Sequence, residues 1–417
     1  MKTFAVGATL VALVAGVAAQ APPRYTADPL WPKPLGSHWI LGSVTGVAVD
    51  AQDHVWLVHR GADSLENMEK SGILDPPQGS CCFPAPHILE FDQAGTVVGH
   101  WGGKGDGYEW PNAPYGITVD AKGNVWIAGG LIVQPAAGRG GRGAAAATDD
   151  TGAPAQGRAT GAGGAGGAAG GGGGGTGAGR GPAAPPASAD AQVIKFSRDG
   201  KFLLQIGHAG KVEGSDSTTG LNKPSGIAVD TAANELYVAD GIGNHRIVVF
   251  DANTGAYKRH WGAYGEKPDD ARLGPYDPSA PAAKQFRGVS CVKLSKDGKV
   301  YVCDRQNDRI QVFQKDGKFV KEATVAKNTL GEGSVWDLAF SNDAQQRFVY
   351  VADGQNKKVR VLNRDTLDVV TSFGDGGRLP GLFYGVGSIA VDSKGNIYTG
   401  ENFDGKRIQK FAVTMSR

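Results

Sequence analysis

An all-β protein is what this sequence predicts, on three observations. The first is an internal repeat. Tyr115-Gly-Ile-Thr-Val-Asp-Ala-Lys-Gly-Asn-Val-Trp-Ile-Ala128 recurs as Ser225-Gly-Ile-Ala-Val-Asp230, running on to Leu236-Tyr-Val-Ala-Asp240, and again as Gly387-Ser-Ile-Ala-Val-Asp-Ser-Lys-Gly-Asn-Ile-Tyr-Thr-Gly400. Weaker copies begin at Thr45, Cys291 and Asp337. The second is periodicity: apolar positions alternate, and turn residues return every ~8 to 12 positions, as in short antiparallel strands. The third is an imbalance, with one strand too few in the last copy and one to spare near the N-terminus. Repeats of about 40 to 60 residues that cannot bury their faces alone must stack on copies of themselves, and four-stranded units repeated radially are propeller blades. The expected fold is a six-bladed β-propeller of four-stranded antiparallel blades, closed by the N-terminal strand.

The elements follow in chain order. Lys2, the apolar run from Phe4 to Val17 and the small residues Val17-Ala18-Ala19 have the form of a signal peptide over residues 1–19. A secreted or periplasmic protein is therefore expected, with residues 20–417 forming a single propeller domain. The run is too short to cross a bilayer, and no later stretch reaches the ~18 to 20 apolar residues required, so no membrane insertion is expected. In the second copy Gly116 to Val119 form strand a, Asp120 to Asn124 a turn rich in residues that tolerate left-handed geometry, and Val125 to Ala128 strand b. Val193 to Phe196 and Phe202 to Ile206 follow as strands c and d. The third copy repeats the order at Ile227–Val229, Leu236–Ala239, Arg246–Phe250 and Tyr257–Trp261. The sixth stops after three strands, at Lys406 to Val413, and the segment from Tyr25 to Trp31 is expected to complete it, which removes the free sheet edges.

Residues 136–189, almost wholly Gly, Ala, Pro and Arg, interrupt blade two between strands b and c. They have too little apolar surface to offset the entropy of ordering, so a disordered loop insertion is expected there.

The chain carries 43 basic and 41 acidic residues, a formal charge of +2. No global field favours nucleic acid, so no nucleic-acid partner is expected, and a monomer is. Four cysteines suit an oxidising compartment. If Val119 pairs with Val125, Cys291 and Cys303 occupy facing positions on strands a and b of blade four. That suggests a cross-strand disulfide, two buried thiols being the alternative. The adjacent Cys81 and Cys82 suggest a vicinal disulfide.

Turns a–b and c–d lie on one face of the disc and are short. Loops b–c and d–a lie on the other and are long and varied: 59–85, 102–114, 262–286, 324–335 and 374–385. Function concentrates in such loops on a rigid frame. Asp240…Asn244…Arg246 recurs there as Asp304…Asn307…Arg309, and loosened as Asp353…Asn356…Lys358 and Glu401…Asp404…Arg407. Repetition points to a turn ordered by an acid–arginine pair. Blade one departs with His59-Arg60 and blade two with Gly129-Gly130. His100 and His260 share a repeat position and are expected to pack, while His245 is expected to be a solvated loop residue. The sequence lacks His-x-x-x-His, Cys-x-x-Cys and Gly-x-Ser-x-Gly. Candidate ligand contacts are Arg60, Trp110, Tyr115, Arg287, Asp304, Trp336, Tyr384 and Glu401, which combine aromatic anchors with arginine as binding hot spots do.

Pro224-Ser-Gly-Ile-Ala-Val-Asp230 and Leu236-Tyr-Val-Ala-Asp240…Asn244-His-Arg-Ile-Val-Val-Phe250 resemble NHL repeats. Among NHL propellers the chain is most similar to the peptidyl-α-hydroxyglycine α-amidating lyases. His59-Arg-Gly61 resembles their His-Arg-Gly, and Asp240-Gly-Ile-Gly-Asn-His-Arg246 their Asp-Gly-Tyr-x-Asn-x-Arg. The resemblance implies a catalytic role for Arg60. It also places the family's three zinc histidines at Tyr115, Ser290 and Gly387, its catalytic tyrosine at Ile242, and an aspartate at Ser388. Arg60 alone of this set is kept, so amidating-lyase turnover is not expected. The expected function is binding of a small-molecule, peptide or protein ligand at the loop-rich face, with Arg60 able to hold a carboxylate through paired hydrogen bonds. The rival is an enzyme: a relative of these lyases with a rebuilt site, or a metal-dependent lactonase or esterase using Glu401, Asn402 and Asp304. No cofactor is assigned, and calcium and zinc are the ions to test.

Overall fold

The computed structural model describes residues 22–130 and 189–414. The expected signal peptide, and the insertion up to residue 188, lie outside the described residues.

Asp120 illustrates how the sequence writes the a–b turns of blades one, two and six. Its Oδ1 accepts the N–H groups of Lys122 and Asn124, its Oδ2 accepts the Trp126 indole N–H at 3.1 Å, and Gly123 takes the left-handed φ of +82° that the reversal needs. Asp50 receives Trp56 in the same way at 2.9 Å, and Asp392 receives the Tyr398 hydroxyl at 3.1 Å. These three turns thus also anchor a ring of strand b.

The inner strands a are Val44–Val49, Pro114–Val119, Gly226–Asp230, Val289–Leu294, Asp337–Phe340 and Val386–Val391. Strands b are Val55–His59, Val125–Gly129, Glu235–Asp240, Val300–Asp304, Phe348–Asp353 and Ile397–Glu401. Each blade is a four-stranded antiparallel sheet, six in all, and blade six borrows its outer strand from the N-terminus. Arg24–Asp28 pairs with Ile408–Thr414, from Arg24 opposite Thr414 to Asp28 opposite Lys410. The strand is shorter than the expected segment ending at Trp31. Trp31 instead packs on Tyr398 and Phe91, at centroid distances of 4.9 and 5.7 Å, between blades six and one.

The core is divided among the blade interfaces. Ala48, Trp56 and Val58 of blade one meet Ile117, Val125 and Ile127 of blade two. The ring closes where Val44, Val47 and Leu57 meet Ala390 and Tyr398. Inner strands approach one another at glycines: a Cβ on Gly226 would lie 2.7 Å from Cys291 Cα, and one on Gly116 would lie 2.2 Å from the Ser225 carbonyl oxygen. Cys291 faces Cys303 across strands a and b and is bonded to it, and Cys81 is bonded to Cys82.

The repeated acid–arginine string is structural. Asp240 and Arg246 are both 0 % exposed and paired at 2.8 Å, and Arg246 also donates to the carbonyls of Ser215 and Gly220. Asp304 takes Arg309 at 2.7 Å and Asn307 at 2.8 Å. Two expected partners are corrected. Asp353 pairs with Arg360 at 2.7 Å, because the strand places residue 360 back on the acid's side, while Lys358 reaches the Gly374 carbonyl. Glu401 takes Arg407 and Gln409, and Asp404 stays outside the pair. Blade two, which ends strand b in glycine, supplies its acid from the other end of the loop: Asp190 accepts the backbone N–H groups of Asn112 and Ala113 at 2.9 and 2.7 Å. In blade one His59 Nδ1 accepts those of Gly42 and Gly61 at 3.1 and 3.0 Å.

Asp308 carries a pH dependence. It sits at φ +51°, fully buried, with Oδ1 accepting the Ser334 N–H at 2.8 Å and Oδ2 without a partner among the described residues. Burial, the largest cause, pushes its carboxyl up to about 7. Between the ordinary carboxylate range and 7 the folded chain holds a proton the unfolded chain has released, so this group's contribution to stability falls as pH rises through that window. Asp308→Asn is expected to gain on wild type in melting temperature between pH 5 and pH 8. A difference constant with pH, measured by thermal melts, counts against the assignment.

Candidate functional site

The end of strand b delivers its next residue to the mouth of the channel on the loop-rich face. In blades one to six these residues are Arg60, Gly130, Gly241, Arg305, Gly354 and Asn402. The glycines make room for the start of strand a or the residue before it. A Cβ on Gly130 would lie 2.4 Å from Tyr115 Cβ, one on Gly241 2.2 Å from Val289 Cβ, and one on Gly354 2.7 Å from the Trp336 ring. Side chains beyond Cα at this level are therefore Arg60, Arg305 and Asn402, beside Tyr115 and Trp336.

Tyr115 and Trp336 close the channel. Tyr115 is buried, which raises the pKa of its hydroxyl, and the Asn402 side chain bonds to that hydroxyl. Trp336 donates its indole N–H to the Gly333 carbonyl at 2.7 Å, and the Arg305 guanidinium lies 4.8 Å above its ring. Arg305 also reaches Glu332 at 2.6 Å. The cavity beneath, lined by Thr45, Ser225, Ser290 and Asp337 among others, measures about 20 Å³, room for little more than one water. Three of its hydroxyls are turned to the neighbouring blade: Thr45 donates to the Pro114 carbonyl, Ser225 to that of Val289 and Ser290 to that of Val335, at 2.7, 2.7 and 3.1 Å, while Ser388 Oγ is buried without a partner among the described residues.

These residues do not fit the zinc set implied by the resemblance. Ser290 is committed to its inter-blade bond. A side chain at Gly387 would start 2.5 Å from Asn402 Nδ2, and Tyr115 offers a buried phenol where imidazole is required. Among the described residues one cluster, Asp50, His54 and Glu90, has the spacing of metal ligands. It lies by the a–b turn, on the opposite face, and the Arg198 guanidinium already pairs with Asp50, at 2.9 Å, and with Glu90.

Arg60 is different. Its backbone N–H donates to the Ser43 carbonyl, but its guanidinium makes no hydrogen bond or ion pair among the described residues, and Nε is buried without a partner. Burial lowers its pKa, opposed by the fields of Asp63 and Asp190. His59 fixes the backbone before it. With Nδ1 accepting two N–H groups, Nε2 must carry the proton, which it donates to the Pro86 carbonyl at 2.9 Å. Burial first, then His87, push its pKa down to about 3, so it is a neutral structural imidazole. His87 donates from Nδ1 to the His59 carbonyl at 3.0 Å and packs against Trp110 with centroids 5.3 Å apart.

The structure brings the expected residues together in two groups: Trp110 is joined through His87 to the backbone of the His59–Gly61 turn that carries Arg60, and Tyr115 and Trp336 line one cavity. Asp304 and Glu401 are fully buried and spent on their arginines. Arg287 binds Asn307 and the Gly274 carbonyl, and the Tyr384 ring carries Arg378 at 4.4 Å. His245 is held rather than solvated, by the Phe286 carbonyl at 2.8 Å, and His100 is exposed against Trp39. Sequence reasoning missed Arg305 and His87. Arg305 was readable, standing after the acid where blades three and five have glycine. His87 lies outside the repeat and carried no signal.

The NHL repeat profile matches residues 221–250. The chain is similar to peptidyl-glycine alpha-amidating monooxygenase B of Xenopus laevis, 26% identical over 299 residues, which cover 71% of this chain and 25% of the relative. It is also similar to NHL repeat-containing protein 3 of Homo sapiens, 26% identical over 183 residues, covering 43% of this chain and 44% of that one. The chain thus spans about a quarter of the length of the amidating relative. Among solved structures, virginiamycin B lyase from Staphylococcus aureus is similar with a TM-score of 0.43 and 11% identity, covering 94% of this chain and 88% of that one.

Proposed function

We propose that this six-bladed propeller binds a small carboxylate ligand at its loop-rich face, with Arg60 as the anchor. The observation that carries the reading is the half-buried Arg60 guanidinium without a hydrogen-bonding or ionic partner among the described residues. The buried Nε has no access to water and no partner among the described residues, and a carboxylate satisfies such a guanidinium through two parallel charge-assisted hydrogen bonds. Similarity to the amidating monooxygenases supports a ligand site on this face. It does not bring their chemistry, since Tyr115, Ser290 and Gly387 stand where the lyase histidines are expected. The two disulfides suit an oxidising compartment, and export is proposed on that ground. No helix among the described residues is long and apolar enough to cross a membrane.

Titration calorimetry against a panel of simple carboxylates tests the reading. Arg60→Ala is expected to weaken the best binder at least tenfold and Arg60→Lys to restore it only in part, because an ammonium lacks the planar fork. The melting temperature without ligand should stay within a few degrees of wild type. Carboxylate binding indifferent to both substitutions contradicts the proposal.

A further inference from the structure

We propose that Cys81–Cys82 is a reversible redox-modification site opened by a dithiol, and that opening it releases residues 66–80 from the rim of the loop-rich face. The two disulfides differ in kind. Cys291 and Cys303 are 2 % and 0 % exposed, and their bond ties neighbouring strands across a sequence separation of 12. Cys81–Cys82 joins consecutive residues, both partly exposed, at the end of a stretch, 75–80, that is exposed throughout. A disulfide stabilises a fold increasingly with the length of loop it closes, and here no residue lies between the partners. Its role is therefore local, and its exposure opens the sulfurs to a thiolate that cannot reach the Cys291–Cys303 bond in the folded chain.

What the bond holds is visible in its carbonyls. That of Cys81 accepts the Ser71 hydroxyl and that of Cys82 the Gly72 N–H at 3.3 Å, while Gln78 donates back to the Ser71 carbonyl at 3.0 Å. Ser71 and Gly72 belong to the 3-10 segment Asn67–Ile73, which is also tied by Lys70 to the Ala62 carbonyl at 3.0 Å and by Glu69 to Lys406 at 2.5 Å. Past the cysteines, Phe83 and Ala85 donate to the carbonyls of His38 and Ile40, so the chain is secured from there on. The disulfide stands where that secured strand meets the segment. Closed in a ring, the two cysteines cannot turn independently, and both carbonyls stay on residues 71–72. As thiols each turns about its own backbone, and water replaces the bonds to Ser71 and Gly72. The exchange is balanced: one thiolate of the dithiol attacks a cysteine sulfur, and its second thiol then displaces that cysteine from the mixed disulfide. Two electrons and two protons pass to Cys81 and Cys82, and the dithiol leaves as a disulfide.

Dithiothreitol titrated into the native protein, followed by alkylation and peptide mapping, tests the site, and hydrogen exchange at the Gly72 and Gln78 amides tests the release. Cys81 and Cys82 are expected to be alkylated together at roughly tenfold less reductant than Cys291 and Cys303. The two amides are expected to exchange roughly tenfold faster once the bond is open, with the blade amides unchanged, and to recover when a small disulfide oxidant replaces the reductant. Cys81→Ser/Cys82→Ser is expected to show the fast exchange without reductant and no further response to it. Opening of both disulfides at one reductant concentration, or failure of Cys81–Cys82 to re-form, overturns the redox site. Selective reduction that leaves both amides protected overturns the release.

Discussion

Deleting Arg24–Asp28 is expected to abolish cooperative folding at the wild-type melting temperature. Five residues pair with Ile408–Thr414, and the strand carries Tyr25, whose ring meets Tyr350 edge-on at 5.7 Å and Phe373 at 5.1 Å, with its hydroxyl 2.7 Å from that of Tyr350. Losing a half-buried aromatic costs ~1 to 2 kcal/mol, and several ladder hydrogen bonds cost ~1 kcal/mol each. The total, on the order of 5 kcal/mol or more, rivals the whole stability of many domains. The deletion also leaves Ile408–Thr414 as an unpaired edge open to association with other chains. Circular dichroism melts and size exclusion of the truncated chain are expected to show a broad transition and higher-order species. A monomer with an unchanged melting temperature contradicts closure by the N-terminal strand.

Arg246→Met is expected to cost ~3 to 5 kcal/mol, the range for breaking a fully buried pair from one side. Asp240 stays at 0 % exposure with its charge uncompensated, and the carbonyls of Ser215 and Gly220 lose their donor. Burial already raises the Asp240 pKa, and Arg246 is the strongest opposing influence. Without it the folded pKa climbs further, so stability falls as pH rises and the defect is larger at pH 8 than at pH 5. Asp240→Asn/Arg246→Met removes the orphaned charge and is expected to recover part of the loss. A double variant no more stable than Arg246→Met, or a defect that does not vary with pH, contradicts this account of the pair.

The fold was legible because the repeat is written in turns and strand alternation, both local. Asp120, Gly123 and Trp126 lock one turn within seven residues, and the same constellation marks other copies. The Cys291–Cys303 bond followed from the same alignment. Long-range geometry was not legible. Nothing local says that Asp190, arriving from the far side of the blade-two loop, replaces the acid missing at Gly129, or that Arg360 outreaches Lys358 to Asp353. The site was half legible for the same reason. Arg60 and Arg305 stand out as departures from a repeat, whereas His87 is placed by a long loop with no counterpart in other blades. Asp304 and Glu401, chosen for their charge, proved to be the buried half of a structural pair, and burial is decided by loops distant in sequence.

The most direct test of the central claim is a crystal structure of the protein soaked with the tightest-binding carboxylate from the panel. The expected result is the carboxylate on the Arg60 guanidinium at hydrogen-bond distance, with the blades unmoved. A ligand seated elsewhere, with the Arg60 guanidinium still unpaired, contradicts it.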